Sequence, residues 1–379
     1  MPGFELIGKE EKKALNDIFD EGGIFFAHGF DKLRKKFHVR EFEKAASKYF
    51  KVKQSLAVSS GTAAIKIGLK ALGVKPGDEV ITQAFNFIAT IEAILDLGAK
   101  PIICNIDKSL NMDVFEIKKL ITPKTKVILP VHMLGVPADI KSIMQIAKKN
   151  KIKVLEDNCE SVGVKYHNKY LGTFGDAGVF SFDFGKTITT GEGGMIISNN
   201  LEIMKYCREY HDHGHENNPK LPRGKDSKSI YGFNYRMTEL QAAIGKVQLK
   251  KLNYIIKENK KRYNILDKNL DKNIEKRFIT KNSQDICDTF IIKIHNKKLR
   301  ENIITLLKDF KFGTKNLPDA LDWHCTYFWD HALTKKEISK SKKTKDLLEQ
   351  MIAIPILLRK KPSQYKELVL KLNKISRQD

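Results

Sequence analysis

"KVILPVHMLGVPADIKSIMQIAKKNKIKVLEDN", residues 126–158, holds two short apolar runs on either side of a helix-like segment. "KVILPVHM" (126–133) and "KVLEDN" (153–158) have the length and β-branched content of buried strands, and "DIKSIMQIAKKN" (139–150) has the patterning of a helix between them. Strand, helix, strand at this spacing is a crossover unit of a parallel sheet. The same alternation extends outward on both sides. Further apolar runs occur at "EVIT" (79–82), "PIICNID" (101–107), "GVFSFDF" (178–184) and "GMIISN" (194–199). Helix-like stretches lie at "GTAAIKIGLKAL" (61–72) and "FNFIATIEAILDLG" (85–98). The expected fold is α/β: a mostly parallel sheet with helices on both faces, whose ligands sit at the carboxyl ends of the strands.

Beyond residue 200 the pattern changes. "RMTELQAAIGKVQLKKL" (236–252) begins a long amphipathic helix, with Thr238 as its opening and Leu240, Ile244, Val247 and Leu252 near one face. After about residue 265 a polar stretch gives way to a strand, "DTFIIKI", which we read as part of a smaller α+β lobe. The expected division is a large domain over 1–250, including the N-terminal segment, and a small C-terminal domain over 251–379.

The chain has 379 residues, 41% hydrophobic and 30% charged, which fits a globular protein and excludes wholesale disorder. No apolar run is long enough to span a bilayer, and "MPGFELIGKEEKK" lacks the pattern of a signal peptide. Its five cysteines, at 104, 159, 207, 287 and 325, follow neither metal nor disulfide spacing, so a reducing cytoplasm is expected. The net charge is +23. Residues 1–200 carry 29 Lys and Arg against 23 Asp and Glu, leaving 39 against 22 for the rest. That excess lies in lysine-rich helical stretches with interspersed acids, which read as solvated helix faces; no nucleic-acid partner is expected.

Three short stretches carry chemistry. In "SSGTAAI" (59–65), Gly61 and Thr62 open a helix directly after a strand, where free N–H groups and the helix dipole favour a phosphate. A plain helix cap is the other reading. Asp157 ends a strand and points toward the crevice, where a half-buried carboxylate needs a cation, either an arginine or a protonated pyridine. In "FSFDFGKTITTGEGGM" (180–195), Ser181 lies on a strand and Lys186 just past its end. A desolvated lysine near other positive charge has a lowered pKa and attacks carbonyls to form a Schiff base.

In this order, phosphate turn, strand-end aspartate, then serine and lysine before a glycine-rich turn, the chain closely resembles the DegT/StrS sugar aminotransferases. The likeness extends through "GAKPIICNID", "LEDNCESVG", "LGTFGDAGVFSFDFGKTITTGEGGMI" and "GFNYRMTELQAAIG". It implies the aspartate-aminotransferase fold and pyridoxal 5'-phosphate as cofactor. By position, Lys186 matches the lysine that binds the cofactor covalently and moves the substrate proton, and Asp157 the carboxylate on the pyridine nitrogen. Gly61, Thr62 and Ser181 match the phosphate site, and Phe85 an aromatic ring stacked on the cofactor. Asn234 matches an asparagine reaching the phosphate of a neighbouring subunit, which implies a homodimer with composite sites. Glu160 departs from the family, which more often has glutamine or histidine facing the cofactor's oxygen; an acid there is either protonated or turned away. A dehydratase branch, which performs 3-deoxygenation of keto-sugars, has histidine at the lysine position, so Lys186 favours transamination, although "EDNC" resembles that branch.

The resemblance implies a keto- or aldehyde-sugar as amino acceptor and glutamate as donor. "MPGFELIG", "DHGHE" (212–216), "FGKTITTGEGG" and "DWHCTYFWDH" (322–331) are similar to the branch making 8-amino-3,8-dideoxy-manno-octulosonate. A nucleotide-linked keto-hexose is the alternative, and surface polysaccharide the implied destination. "HDHGHE" reads as a substrate-contacting or structural loop, not a metal site. His213, His324 and Arg223 are the candidate substrate contacts, Arg223 because guanidinium pairs carboxylate or phosphate bidentately.

Overall fold

The computed structural model describes residues 2–218 and 220–377. In chain order the strands are β1 (Gln54–Val58), β2 (Glu79–Gln83), β3 (Lys100–Cys104), β4 (Thr125–Leu129), β5 (Lys153–Asp157), β6 (Lys165–Tyr166) and β7 (Lys169–Tyr170). They continue as β8 (Ala177–Ser181), β9 (Gly194–Ser198), β10 (Glu275–Lys276), β11 (Ser283–Gln284), β12 (Thr289–Lys293) and β13 (Met351–Pro355). Seven of them form the main sheet in the order β1-β9-β8-β5-β4-β2-β3. Its pairs from β3 to β8 are parallel, and β9 runs antiparallel to both β8 and β1. The parallel sheet expected from residues 126–158 is therefore present.

Alternation along each strand sends neighbouring side chains to opposite faces. Val127 and Leu129 join the apolar cluster on one face, with Leu155, Val179 and Ile196, while Ile128 joins the other with Val154, Phe180 and Ile197. Helices cover both faces, which is why the strands read as continuous apolar runs. Burying one such side chain contributes about 1.5–3 kcal/mol.

The long helix spans Glu239–Asn269. Thr238 caps it, accepting from the Gln241 N–H, while the Gln241 side chain answers the Thr238 N–H. Its buried face passes through Ala242, Ala243, Leu249, Leu252 and Ile255; Leu240, Ile244 and Val247 are only half-buried. The helix runs unbroken through residue 250, so the expected boundary at 250/251 falls inside it. Strands β10, β12 and β13 form a second sheet with its own apolar cluster, including Phe290, Ile292, Ile352, Ile354, Leu368 and Leu372. Among the described residues no helix is long and apolar enough to cross a membrane.

Candidate active site

The chemistry gathers where β5 and β8 end side by side. Asp157 and Val179 are paired, and the Asn158 N–H continues the ladder to the Val179 carbonyl at 2.8 Å. Two adjacent carboxylates on β5 meet opposite surroundings. Glu156 accepts from the backbone N–H groups of Gly172, Phe174 and Gly175 at 2.9, 2.7 and 2.6 Å. It also faces His132 Nε2 at 3.2 Å, while His132 Nδ1 accepts from the Ala138 N–H, which fixes the proton on Nε2. Glu156 is thus saturated. Asp157, on the other face, has a Cys159 N–H at 3.0 Å and the Thr90 hydroxyl at 3.4 Å, and among the described residues no cation at ion-pair distance. Burial raises its pKa, against the lowering effects of the Cys159 contacts and the Lys186 charge. It is the carboxylate that gains most from a cationic partner.

Lys186 lies past the end of β8, with its side chain largely buried. Its Nζ donates to Glu160 Oε1 at 2.5 Å. Burial lowers the ammonium's pKa, but the Glu160 charge, with Cys159 and Asp183, outweighs burial and raises it. The expectation of a lowered lysine pKa is therefore corrected: unit charges 4 Å apart interact by about 4 kcal/mol at intermediate dielectric, and this pair is closer. Glu160 is likewise neither protonated nor turned away. Burial would raise its carboxyl, yet Lys186 and Lys315 hold it down to about 2.

The helix start after β1 is built as its sequence implied. Ser60 caps the helix Gly61–Ala71, its hydroxyl accepting from the Ala63 N–H and its carbonyl from the Ala64 N–H. The N–H groups of Gly61 and Thr62 remain free of intrahelical partners at the helix start. Gly61 presses against β8: a Cβ there would lie 2.7 Å from Ser181 Cβ and 3.3 Å from Cys159 Sγ. Gly194, on β9, is tighter still, since its Cβ would lie 2.2 Å from the Ser60 carbonyl oxygen. Gly194→Ala is expected to destabilise the protein by about 1–3 kcal/mol and to weaken phosphate retention. Thermal melting and a phosphate-competition titration check both.

Phe85 is corrected. It is fully buried in the core, bridging Cys325 through the backbone, and offers no face for stacking. In the same segment Phe87 is 48% exposed, with its ring centroid 5.6 Å from that of His324. Thr90, one turn on, carries the hydroxyl at Asp157. Both were missed, although "FNF" offered two aromatics and only the end of β2 decides which one points out.

His324 joins the site. Its Nδ1 donates to the Ala320 carbonyl at 2.8 Å, and burial, with Lys186 and Lys315 adding, lowers its pKa, so the ring is neutral. Arg223 does not join it. Its guanidinium grips Asp212 bidentately at 2.7 and 2.5 Å, and Arg236 adds a third bond at 2.6 Å. Arg223 and Arg236 line a separate cavity of about 720 Å³ with His28, Arg40 and Arg208, whose wall includes neither Lys186 nor Asp157. His213 is an exposed turn residue with φ 53°, and Asn234 is exposed on the neighbouring segment, its backbone bridging Asp212. Among the described residues no group of three metal-ligating side chains assembles.

Asp212 is fully buried, and Arg223 and Arg236 overcome its burial to hold its carboxyl far below the usual range. A depressed carboxyl stabilises the fold above its unfolded pKa and loses that contribution as pH falls. Asp212→Asn, which strands two arginines, is therefore expected to cost about 3–5 kcal/mol near neutrality. The difference from wild type should shrink below about pH 4, as denaturant melts across pH will show.

The N-terminal helix Pro2–Glu5 lies over the Lys186 loop. A Cβ on Gly3 would sit 2.7 Å from the Lys186 carbonyl oxygen, and the Phe4 ring stacks on Phe184 at 4.9 Å. Glu5 then reaches the second sheet's edge, accepting from the Leu358 N–H at 2.7 Å. Gly3→Val is expected to displace this helix. Faster proteolysis of the N-terminus and looser retention of whatever Lys186 holds would register it.

Taken together, the residues suit pyridoxal phosphate: a buried aspartate short of a cation, a helix start with free N–H groups beside a serine, a buried lysine and an exposed aromatic ring. The comparisons agree. A profile of the DegT/DnrJ/EryC1/StrS aminotransferase family matches residues 8–373. The GDP-perosamine synthase of Escherichia coli O157:H7 is 36% identical over 286 residues, 75% of this chain and 74% of that protein. The spore coat polysaccharide biosynthesis protein SpsC of Bacillus subtilis is 33% identical over 323 residues, 82% and 80% of the two chains. The pyridoxal-phosphate form of a sugar aminotransferase, Spr1654 of Streptococcus pneumoniae, described as putative, superposes with a TM-score of 0.83 at 22% identity, covering 98% of this chain and 97% of that one. The chain belongs to the DegT/DnrJ/EryC1/StrS aminotransferase family, whose members are pyridoxal-phosphate enzymes.

Proposed function

We propose that this protein transfers an amino group from L-glutamate to a keto- or aldehyde-sugar destined for surface polysaccharide, with Lys186 and Asp157 as its catalytic residues. The observation that carries the reading is the buried Lys186 ammonium held at a strand end, one strand away from a buried aspartate that lacks a cation. Pyridoxal phosphate, when bound, supplies an aldehyde carbon and an electron-withdrawing protonated ring.

Each residue then has one task. The free N–H groups of Gly61 and Thr62, with the Ser181 hydroxyl, hold the phosphate. Asp157 would hold a proton on the ring nitrogen, and Thr90 keeps its carboxylate aimed. Phe87 would help to hold the ring and exclude water. Glu160 would hold the Lys186 ammonium at the strand end, and Lys186, once it has lost its proton to solvent, would move a proton at the substrate carbon. His324, neutral, presents Nε2 as an acceptor to a sugar hydroxyl. Asn234 is exposed beside Tyr231 and Phe233, which are also exposed, and this supports a homodimer in which it reaches the partner's phosphate. Mixing Lys186→Ala and Asn234→Ala subunits should regenerate one intact site per dimer and recover activity that neither variant has alone.

The alternative, 3-dehydration of a keto-sugar, calls for histidine where this chain has Lys186. For the acceptor, the names of the relatives support a nucleotide-linked keto-hexose, and the short N-terminal and 322–331 segments support an octulosonate. Hydrogen exchange at the α-carbon of glutamate tests the donor half-reaction. Consumption of the aminated enzyme by an 8-oxo-octulosonate or by a nucleotide-linked 4-keto-hexose tests the other half. No exchange with any amino donor would sink the transaminase reading.

A further inference from the structure

Glu160 is shared between two lysines. Its Oε1 accepts from Lys186 at 2.5 Å, and its Oε2 lies 3.5 Å from Lys315 Nζ. Lys315, itself buried, donates to Asp288 Oδ2 at 2.8 Å, and the Thr289 hydroxyl donates to Asp288 Oδ1 at 2.8 Å. The result is a buried row of alternating charges, Lys186, Glu160, Lys315, Asp288. Half of it comes from the main sheet and half from the segments flanking the second sheet. With all four ionised the row is neutral. It does not stay neutral once Lys186 is bonded to an aldehyde carbon, because its nitrogen is then no longer a fixed ammonium but a group that titrates. Glu160 keeps one permanent cation, Lys315.

We propose that Lys315, anchored by Asp288, is a positioning residue that offsets the charge of Glu160 and keeps its carboxylate aimed at the Lys186 nitrogen after that nitrogen has bound the cofactor. The inference rests on the proposed use of pyridoxal phosphate at Lys186 and adds a residue to it. An acid at position 160, where the family more often has a neutral side chain, brings a charge into a buried site. A second buried lysine compensates that charge without competing for Oε1. The groups facing the Lys186 nitrogen are Glu160 and Cys159 from the segment after β5, Asp183 from its own loop, and Asp157 at the end of β5. Lys315, beside β13, and the neutral His324, against the segment after β2, also face Glu160. Of these, only Lys315 offers Glu160 a second cation within ion-pair distance among the described residues.

The test is a pH titration of the visible absorption of the cofactor-loaded protein. In Lys315→Met the negative potential of Glu160 is uncompensated, which favours the protonated nitrogen, so the midpoint is expected to rise by about one pH unit. Glu160→Gln should lower it. In the Glu160→Gln background, Lys315→Met should raise it by much less, through loss of direct repulsion alone, and with Glu160 present Lys315→Arg should keep the wild-type midpoint. An unchanged midpoint in Lys315→Met, or the same rise without Glu160, overturns the proposal and leaves Lys315 a structural partner of Asp288. If Lys315→Met fails to fold, Lys315→Gln keeps a hydrogen-bond donor for Asp288 and removes only the charge; the same rise is expected, and its absence is equally decisive. A wild-type protein that gains no visible band with pyridoxal phosphate overturns the cofactor reading itself. That outcome is distinct from a band whose midpoint ignores Lys315.

Discussion

Lys186→Ala is expected to abolish the visible absorption of the cofactor-loaded protein and to lower transamination by about 10³-fold or more. Two roles are lost together, the covalent attachment point and the group that moves the substrate proton. The fold should survive, because the change also removes a buried charge, and melting checks this. Its partner is not stranded: Glu160 keeps Lys315 at 3.5 Å, so the usual penalty for an unpaired buried carboxylate is softened. External amines offer a further check. If the pocket is otherwise intact, a small primary amine added at high concentration should restore part of the proton transfer, without restoring the covalent link to the chain. Full activity in Lys186→Ala would show that position 186 is not the attachment point and would end the reading proposed above.

Much of this site was legible because it is local. The strand-end positions of Asp157 and Lys186 follow from two apolar runs with clear ends, and the helix start proposed to take a phosphate follows from a strand meeting a helix at Ser60. What escaped the sequence is what depends on partners distant along the chain. Phe85 and Phe87 are near equivalents on paper. The choice between them is made by the backbone bridge from Phe85 to Cys325, which fixes Phe85 in the core and turns Phe87 outward. The charge on Lys186 escaped for the same reason. Burial alone argues for a neutral amine, and the 2.5 Å approach of Glu160, with Cys159 and Asp183, reverses the sign. Arg223 has the right chemistry for an acidic ligand, but Asp212, brought against it by the loop, already occupies both arms of its guanidinium. Lys315 and Asp288 had no local signal at all. Each is unremarkable in a lysine-rich chain until the second sheet packs against the first.

Asp157→Asn separates electrostatics from architecture most cleanly. The amide is nearly isosteric, its oxygen can still accept from the Cys159 N–H while its NH2 donates to the Thr90 hydroxyl oxygen, and it no longer carries a charge that burial disfavours. Stability should therefore hold or rise slightly. The visible band should still form, since Lys186 is untouched. Turnover should fall by about 10²–10³-fold, because a neutral amide cannot hold a proton on the ring nitrogen while charge develops on the substrate carbon. The neighbouring residue supplies the contrast. Glu156→Gln strips charge from three backbone N–H groups and His132, so it is expected to lower the melting temperature while leaving turnover per folded molecule nearly unchanged. One strand end thus carries two carboxylates whose variants should fail in opposite ways. Should Asp157→Asn retain wild-type turnover, the buried aspartate would be a structural acid like Glu156, and the case for a protonated ring beside it would fall.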